Sequence, residues 1–146
     1  MSRLLSSEML HATCVANDGR AVLLIGPTGS GKSDLALRLF DRGFGLVSDD
    51  QTMVRKEGAR LIASAPLTIA GKIEVRGIGI VEIPALGDTP VALVVELTSD
   101  IQRMPDDSRK RTILGVEIPL FAVDAMTASA SAKVALALEK MGLRLV

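Results

Sequence analysis

The stretch Gly26-Pro27-Thr28-Gly29-Ser30-Gly31-Lys32-Ser33 constrains this chain more than any other. It fits G-x-x-x-x-G-K-[ST], the phosphate-binding P-loop, which works as the turn between a strand and a helix. The run before it, Ala21-Val22-Leu23-Leu24-Ile25, is unbroken and apolar, as a buried parallel strand requires. The residues after it, Asp34 to Arg42, carry Leu35, Leu39 and Phe40 at helical spacing. A chance glycine-rich turn would need neither flank. Glycines let such a loop wrap tightly, so that successive backbone N–H groups face phosphate oxygens. The helix N-terminus adds its partial positive charge. All eight residues are therefore candidate nucleotide-binding positions, with Lys32 for the β- and γ-phosphates and the Ser33 hydroxyl for Mg²⁺.

Length and charge narrow the rest. A chain of 146 residues is expected to form a single α/β domain with a real core. With three Phe and no Trp or Tyr, that core must be aliphatic. Lys+Arg and Asp+Glu both total 17, and this balance argues against a nucleic-acid partner, which normally meets a basic excess. The single cysteine, Cys14, cannot form an internal disulfide, which suits a reducing cytoplasm, and it reads as a small apolar strand residue. No apolar stretch approaches the ~18 residues of a membrane span, and the N-terminus lacks a signal-peptide apolar region. A cytoplasmic protein with no membrane partner is the expectation.

In chain order, Met9 to Ala16 reads as one strand, joined through the turn Asn17-Asp18-Gly19 to the P-loop strand as a hairpin. His11, the only histidine, lies on it, and a lone strand histidine is usually a packed residue. Gly43 reads as the cap of the P-loop helix. Phe44 to Val47 is a short strand ending in Ser48-Asp49-Asp50, acidic residues well placed to face phosphates. If extended, only one of the two aspartates points at the site. Gln51–Arg55 and Arg60–Ser64 form a second hairpin. In Glu74-Val75-Arg76-Gly77, Glu74 and Arg76 share a face if extended, and such a pair taken alone is more often a salt bridge or a solvated face. Val81–Ile83 and the apolar Val91–Glu96 are strands, the second central. Leu97 to Arg111 reads as a charged loop. Val116 to Val123 reads as an edge strand interrupted by Pro119, and Ser129 to Met141 as an amphipathic helix.

Together, the P-loop, the Asp-Asp pair and the Glu74-Val75-Arg76-Gly77-Ile78-Gly79-Ile80 signature resemble the catalytic domain of the bacterial HPr kinase/phosphorylase family. The resemblance runs from about Met9 through Arg103. It implies a P-loop NTPase-like core related to that of PEP carboxykinase, a catalytic domain over residues 1–146 without the family's usual N-terminal domain, and a homo-hexamer. It implies ATP and Mg²⁺ as cofactors and, as substrate, a serine of HPr, the phosphocarrier of the sugar phosphotransferase system. By the same resemblance His11, fifteen residues before Gly26, matches a catalytic histidine. Lys32 and Ser33 match the phosphate lysine and the Mg²⁺ hydroxyl, and Asp50 the acid/base aspartate with Asp49 its neighbour. Glu74 matches a second Mg²⁺ ligand, Arg76 belongs to the signature, and Arg103 matches a catalytic arginine near the subunit boundary. One departure stands out. The family's late arginine-bearing stretch, linked to dephosphorylation, corresponds here to Ile118–Ala128, which holds Pro119 but no arginine. A small-metabolite kinase and a non-catalytic ATP sensor are the competing readings.

Overall fold

The structure, a computed structural model, describes residues 6–101 and 109–145. Their elements run β1 (Ser7–Leu10), β2 (Ala12–Asn17), β3 (Arg20–Ile25), α1 (Lys32–Phe40), β4 (Gly45–Ser48), β5 (Thr52–Glu57), β6 (Arg60–Ser64), β7 (Lys72–Val75), β8 (Gly79–Glu82), β9 (Thr89–Leu97), β10 (Lys110–Ile113), β11 (Val116–Val123) and α2 (Ala130–Met141). A mixed sheet follows the order β1-β5-β6-β9-β3-β2-β4, with β11 joining β9, and β10 joining β11. β7 and β8 pair separately as a hairpin. The α/β, P-loop-like expectation holds, with strands outnumbering helices.

The P-loop strand is buried on both faces, which explains its unbroken apolar run. Val22 and Leu24 point into a core shared with Leu35 and Leu39 of α1 and Val134 and Leu138 of α2. Ala21 and Leu23 point into a second core that contains no helix residue and is closed by Val54, Leu61, Ile113 and Ile118. Helices cover one face of the central strands, and the sheet's own outer strands cover the other.

Strand direction gathers the chain's polar residues at one end. β3 runs parallel to β9 and antiparallel to β2, with Ala12 opposite Ile25. β4 is antiparallel to β2, with Cys14 opposite Ser48. The carboxyl ends of β3, β4 and β9 therefore lie beside the amino end of β2. That puts Gly26, Asp49 and His11 in one neighbourhood although they are scattered in sequence, the placement expected of ligand sites in open α/β sheets.

Several expectations need correction. The first strand is two strands, because the chain breaks at His11, where β1 leaves to pair with β5. The helix cap is Asp41, and Gly43 follows it at φ +87° with its N–H on the Phe40 carbonyl. Arg76 does not share an extended face with Glu74: residues 76–78 form the turn between β7 and β8. The charged loop ends earlier than expected, since Lys110 and Arg111 already belong to β10. Pro119 does not interrupt β11. Residues up to Pro119 pair with β10 and residues from Leu120 pair with β9, so the proline sits where the strand changes partner. No helix among the described residues is long and apolar enough to cross a membrane.

The C-terminal helix is tied back by one arginine. Arg20, at the start of β3, donates from its guanidinium to the Leu138 and Leu143 carbonyls, both at 3.2 Å. The Leu138 carbonyl, in the last turn of α2, also accepts the Gly142 N–H at 3.1 Å, and Leu143 lies two residues past the helix, so the guanidinium ties the helix end and the segment after it to the start of β3. Replacing Arg20 with Met keeps the aliphatic stem and removes the donors. The expected loss is about 1–2 kcal/mol in urea unfolding, with partial exposure keeping it at the lower end for charge-assisted bonds. An unchanged midpoint would refute the tether.

Candidate active site

The P-loop is held by its own lysine. Lys32 opens α1, is 6% exposed, and donates from Nζ to the Gly26 carbonyl at 2.9 Å and the Pro27 carbonyl at 3.1 Å. These bonds satisfy a cation that burial would otherwise penalise. Ser30 N–H closes the turn onto the Pro27 carbonyl at 3.0 Å. Gly31 caps α1 in the left-handed region at φ +98°, a conformation that favours glycine. At Gly26 a Cβ would meet Ser30 Oγ at 2.7 Å, so the tight wrap requires glycine there too. Among the described residues the N–H groups of Gly29, Gly31, Lys32 and Ser33 donate to no backbone oxygen. Such groups at a helix N-terminus are an anion site.

Beyond the loop, Asp49 is the junction. It is 7% exposed. Its Oδ1 accepts from the Ser33 hydroxyl at 2.6 Å and the Thr13 hydroxyl at 3.0 Å, and its Oδ2 accepts from the Glu74 N–H at 3.1 Å. Asp50 is placed differently. Its side chain is 65% exposed and meets His11 Nε2 at 3.0 Å, while its N–H donates to Thr13 Oγ1 at 3.1 Å. Asp50 has φ +67°, and Gln51 N–H reaches across it to the Asp49 carbonyl at 2.7 Å. That is a three-residue turn in its strained form. The strand is not extended through the pair, so both aspartates face the same end of the sheet, where the sequence pattern allowed only one.

The remaining candidates divide. Glu74 lies beside the site through its backbone, with its side chain exposed on β7, and Arg76 is exposed in the turn that follows. Among the described residues neither side chain makes a hydrogen bond or ion pair. Arg103 lies outside the described residues. A cleft of about 420 Å³ runs from His11 past Gly26 and Pro27 to Glu96, Thr98 and Arg111. Arg111 therefore borders the site from β10, and Arg109 approaches through Glu96 at 3.3 Å. Neither Glu96 nor Thr13 stood out in the sequence. Buried Thr13 is polar among the apolar residues from Ala12 to Ala16, a faint signal, and Glu96 follows the apolar run of β9 near its end, as Asp49 follows the end of β4. Burial pushes the Cys14 thiol up, as expected for an inert core residue.

The HPr serine kinase C-terminal domain model matches residues 2–143. The chain belongs to that family. It is 37% identical over 126 residues to the HPr kinase/phosphorylase of Prosthecochloris aestuarii, covering 77% of this chain and 37% of that protein. It is 34% identical over 140 residues to the HPr kinase/phosphorylase of Limosilactobacillus reuteri, covering 87% of this chain and 44% of that protein. The chain thus spans roughly two fifths of the length of these relatives. Among solved structures, the Hpr(Ser) kinase/phosphatase from Coxiella burnetii superposes with a TM-score of 0.78 at 29% identity, covering 90% of this chain and 94% of that one.

Oxygen donors of the kind a hard divalent cation prefers meet at Ser33 and Asp49, and the acidic Glu74 follows on the strand whose N–H binds Asp49. Removing the Asp49 carboxylate leaves the Thr13 and Ser33 hydroxyls and the Glu74 N–H without their acceptor. Asp49→Ala is expected to cost about 1–3 kcal/mol of folding stability, the penalty for unsatisfied buried donors. Denaturant unfolding in the absence of nucleotide checks it, and a cost near zero would mean that the junction is not structural.

Proposed function

We propose that residues 1–146 form the catalytic domain of an ATP- and Mg²⁺-dependent protein-serine kinase whose acceptor is HPr, acting in the cytoplasm. The observation that carries the reading is the convergence of the P-loop, the Ser33–Asp49 pair and the His11–Asp50 pair at one end of the sheet. In this reading the N–H groups of Gly29 to Ser33 and the Lys32 ammonium hold the β- and γ-phosphates. Mg²⁺ held by Ser33 and Glu74, with Asp49 fixing the Ser33 hydroxyl, would supply charge neutralisation on the phosphates. Asp50 accepts the proton of the attacking serine as the serine oxygen bonds to the γ-phosphorus and the bond to the ADP oxygen breaks. His11 orients Asp50 from the side facing the cleft, and Arg76 and Arg103 are the cations proposed to steady the transferring group. Asp49 suits the base role less well, because its oxygens already accept from three donors. The exposure of Asp50 favours a macromolecular acceptor over an enclosed metabolite.

Incubation with γ-labelled ATP and purified HPr tests the reading. Label on an HPr serine is expected. Turnover only with a small acceptor would replace HPr by a metabolite, and nucleotide binding without transfer would leave a sensor. Lys32→Ala should abolish turnover. Asp50→Asn should lower the chemical step by about 10²–10⁴-fold while ATP–Mg²⁺ binding stays within a few-fold. If Asp49→Asn stops the chemistry of folded protein and Asp50→Asn is mild, the base has been assigned to the wrong aspartate.

Two features of the assembled enzyme follow. Attack of inorganic phosphate on phosphoserine joins two anions and needs fixed positive charge. Beyond the cations already assigned to transfer from ATP, Ile118–Ala128 offers only Asp124 as a charged residue, and among the described residues at the cleft Arg109 is paired with Glu96 and Arg111 borders it. Transfer from ATP should therefore exceed phosphate-dependent dephosphorylation of the same carrier by a wide margin. Equal rates on phosphorylated HPr with millimolar phosphate would overturn the charge argument. A homo-hexamer is the proposed assembly. Exposed Ile78 and Ile80 on the β7–β8 hairpin provide apolar surface for it, and a monomer by light scattering at micromolar concentration would count against it.

A further inference from the structure

Thr13 belongs to no motif of the sequence, yet it touches both aspartates. It lies in β2 with no exposed surface. A hydroxyl has one proton to donate and lone pairs to accept with. The Asp50 N–H, at 3.1 Å, can only donate, so Thr13 Oγ1 is its acceptor. The Thr13 proton is then free for Asp49 Oδ1 at 3.0 Å, the same oxygen that takes the Ser33 hydroxyl. One relay thus runs from the Asp50 backbone through Thr13 and Asp49 to the P-loop serine. It starts at the strained residue: Asp50 at φ +67° is a conformation that a non-glycine residue keeps only when neighbours enforce it. The enforcing bonds are the Asp50 N–H to Thr13, the Gln51 N–H to the Asp49 carbonyl, and the Ser48 hydroxyl to the Gln51 carbonyl. Of these partners, Thr13 is the one whose side chain also binds the Asp49 carboxylate oxygen that takes the Ser33 hydroxyl.

We infer that Thr13 is a positioning residue that sets the Asp50 carboxylate and the Ser33 hydroxyl in register, so that proton acceptor and phosphate cradle are held at a fixed separation. The inference rests on the kinase reading for its kinetic consequence and on the hydrogen bonds alone for its structural one. A hydroxyl is required at this position, and the methyl is not. Valine has threonine's shape but neither bond, whereas serine has both bonds and lacks only the methyl.

The test uses the full chain with Thr13→Val and Thr13→Ser, both checked for a cooperative melt and assayed well below it. In Thr13→Val the Asp50 amide should lose hydrogen-exchange protection, and kcat for HPr phosphorylation should fall by about 10²-fold, the scale of a misplaced reacting group, with KM for ATP–Mg²⁺ within a few-fold. Thr13→Ser should restore protection and most of kcat. Unchanged Asp50 protection in Thr13→Val overturns the inference whatever the acceptor is. So does a kcat for Thr13→Val near wild type, or an equal kcat loss in both variants, since the hydroxyl would then not be what matters. Wild-type protein that transfers nothing to HPr would overturn the kinase reading instead, while the exchange measurement would still decide the role of Thr13.

Discussion

The site depends on one buried carboxylate. Asp49 sits just past the end of β4 and accepts from residues on three other elements: Thr13 on β2, Ser33 on α1 and Glu74 on β7. Hydrophobic packing brings these elements together but does not orient them. A carboxylate with directed lone pairs does, because each donor must lie within hydrogen-bond reach or be left unsatisfied in the interior. The position of the β7–β8 hairpin illustrates the point. Among the described residues it pairs with no strand of the large sheet, and its inner face contributes Ile73, Val75 and Val81 to the helix-side core. The Glu74 N–H bond to Asp49 ties this otherwise separate ribbon to the P-loop helix.

What was legible in the sequence was whatever repeats at short range. The P-loop has fixed spacing and strict glycine requirements, so its strand, turn and helix were readable from the contiguous run Ala21 to Arg42. The β2–β3 and β5–β6 hairpins carried their turns with them. The Asp-Asp pair was placed correctly at a strand end. What was not legible was set by distant partners. Thr13 is indistinguishable in sequence from any threonine in a strand, since its partners lie 36 and 37 positions away. The β7–β8 turn was not legible because Glu74 to Arg76 fits an extended segment in sequence, whereas positive φ at Gly77 and Gly79 accompanies a reversal of the chain. Pro119 was read as a sign of an edge because a proline cannot donate to a ladder. In β11 it falls where the ladder passes from β10 to β9, so the strand runs on with a partner on each side of it.

The two cores explain why composition was informative about fold and silent about chemistry. A central strand segment buried on both faces must be apolar at every position, and residues 21–25 of β3 and 91–95 of β9 are. Chemistry is then confined to the strand ends, where Ile25 gives way to Gly26, Ser48 to Asp49, and Val95 to Glu96. Since β3 and β9 are parallel neighbours with Ile25 opposite Glu96, their ends cannot separate without breaking the ladder. The P-loop and Glu96 therefore share a cleft as a consequence of strand register, with Arg109 and Arg111 brought to its rim because β10 pairs with β11 and β11 with β9.

The adjacent aspartates show how backbone strain does what an unstrained strand cannot. In an extended chain Asp49 and Asp50 would project to opposite faces, and only one could reach the site. Placing Asp50 in the left-handed region turns the chain between them, at a cost on the order of 1–3 kcal/mol for such a residue. Asp49 then points inward to Ser33, and Asp50 points outward to His11 at the mouth of the cleft. The two carboxylates acquire different environments, one saturated with donors and nearly buried, the other open and paired with a single imidazole. The kinase chemistry proposed above would use that difference, with one group holding still beside the P-loop while the other meets an incoming hydroxyl. The cost is offset by three hydrogen bonds around Asp50, those of its own N–H, of Gln51 and of Ser48, each worth about 0.5–1.5 kcal/mol net. An aspartate, which tolerates this backbone region better than most side chains, is also the residue that the proposed proton-acceptor role asks for, so in that reading the requirements of conformation and of function coincide at position 50.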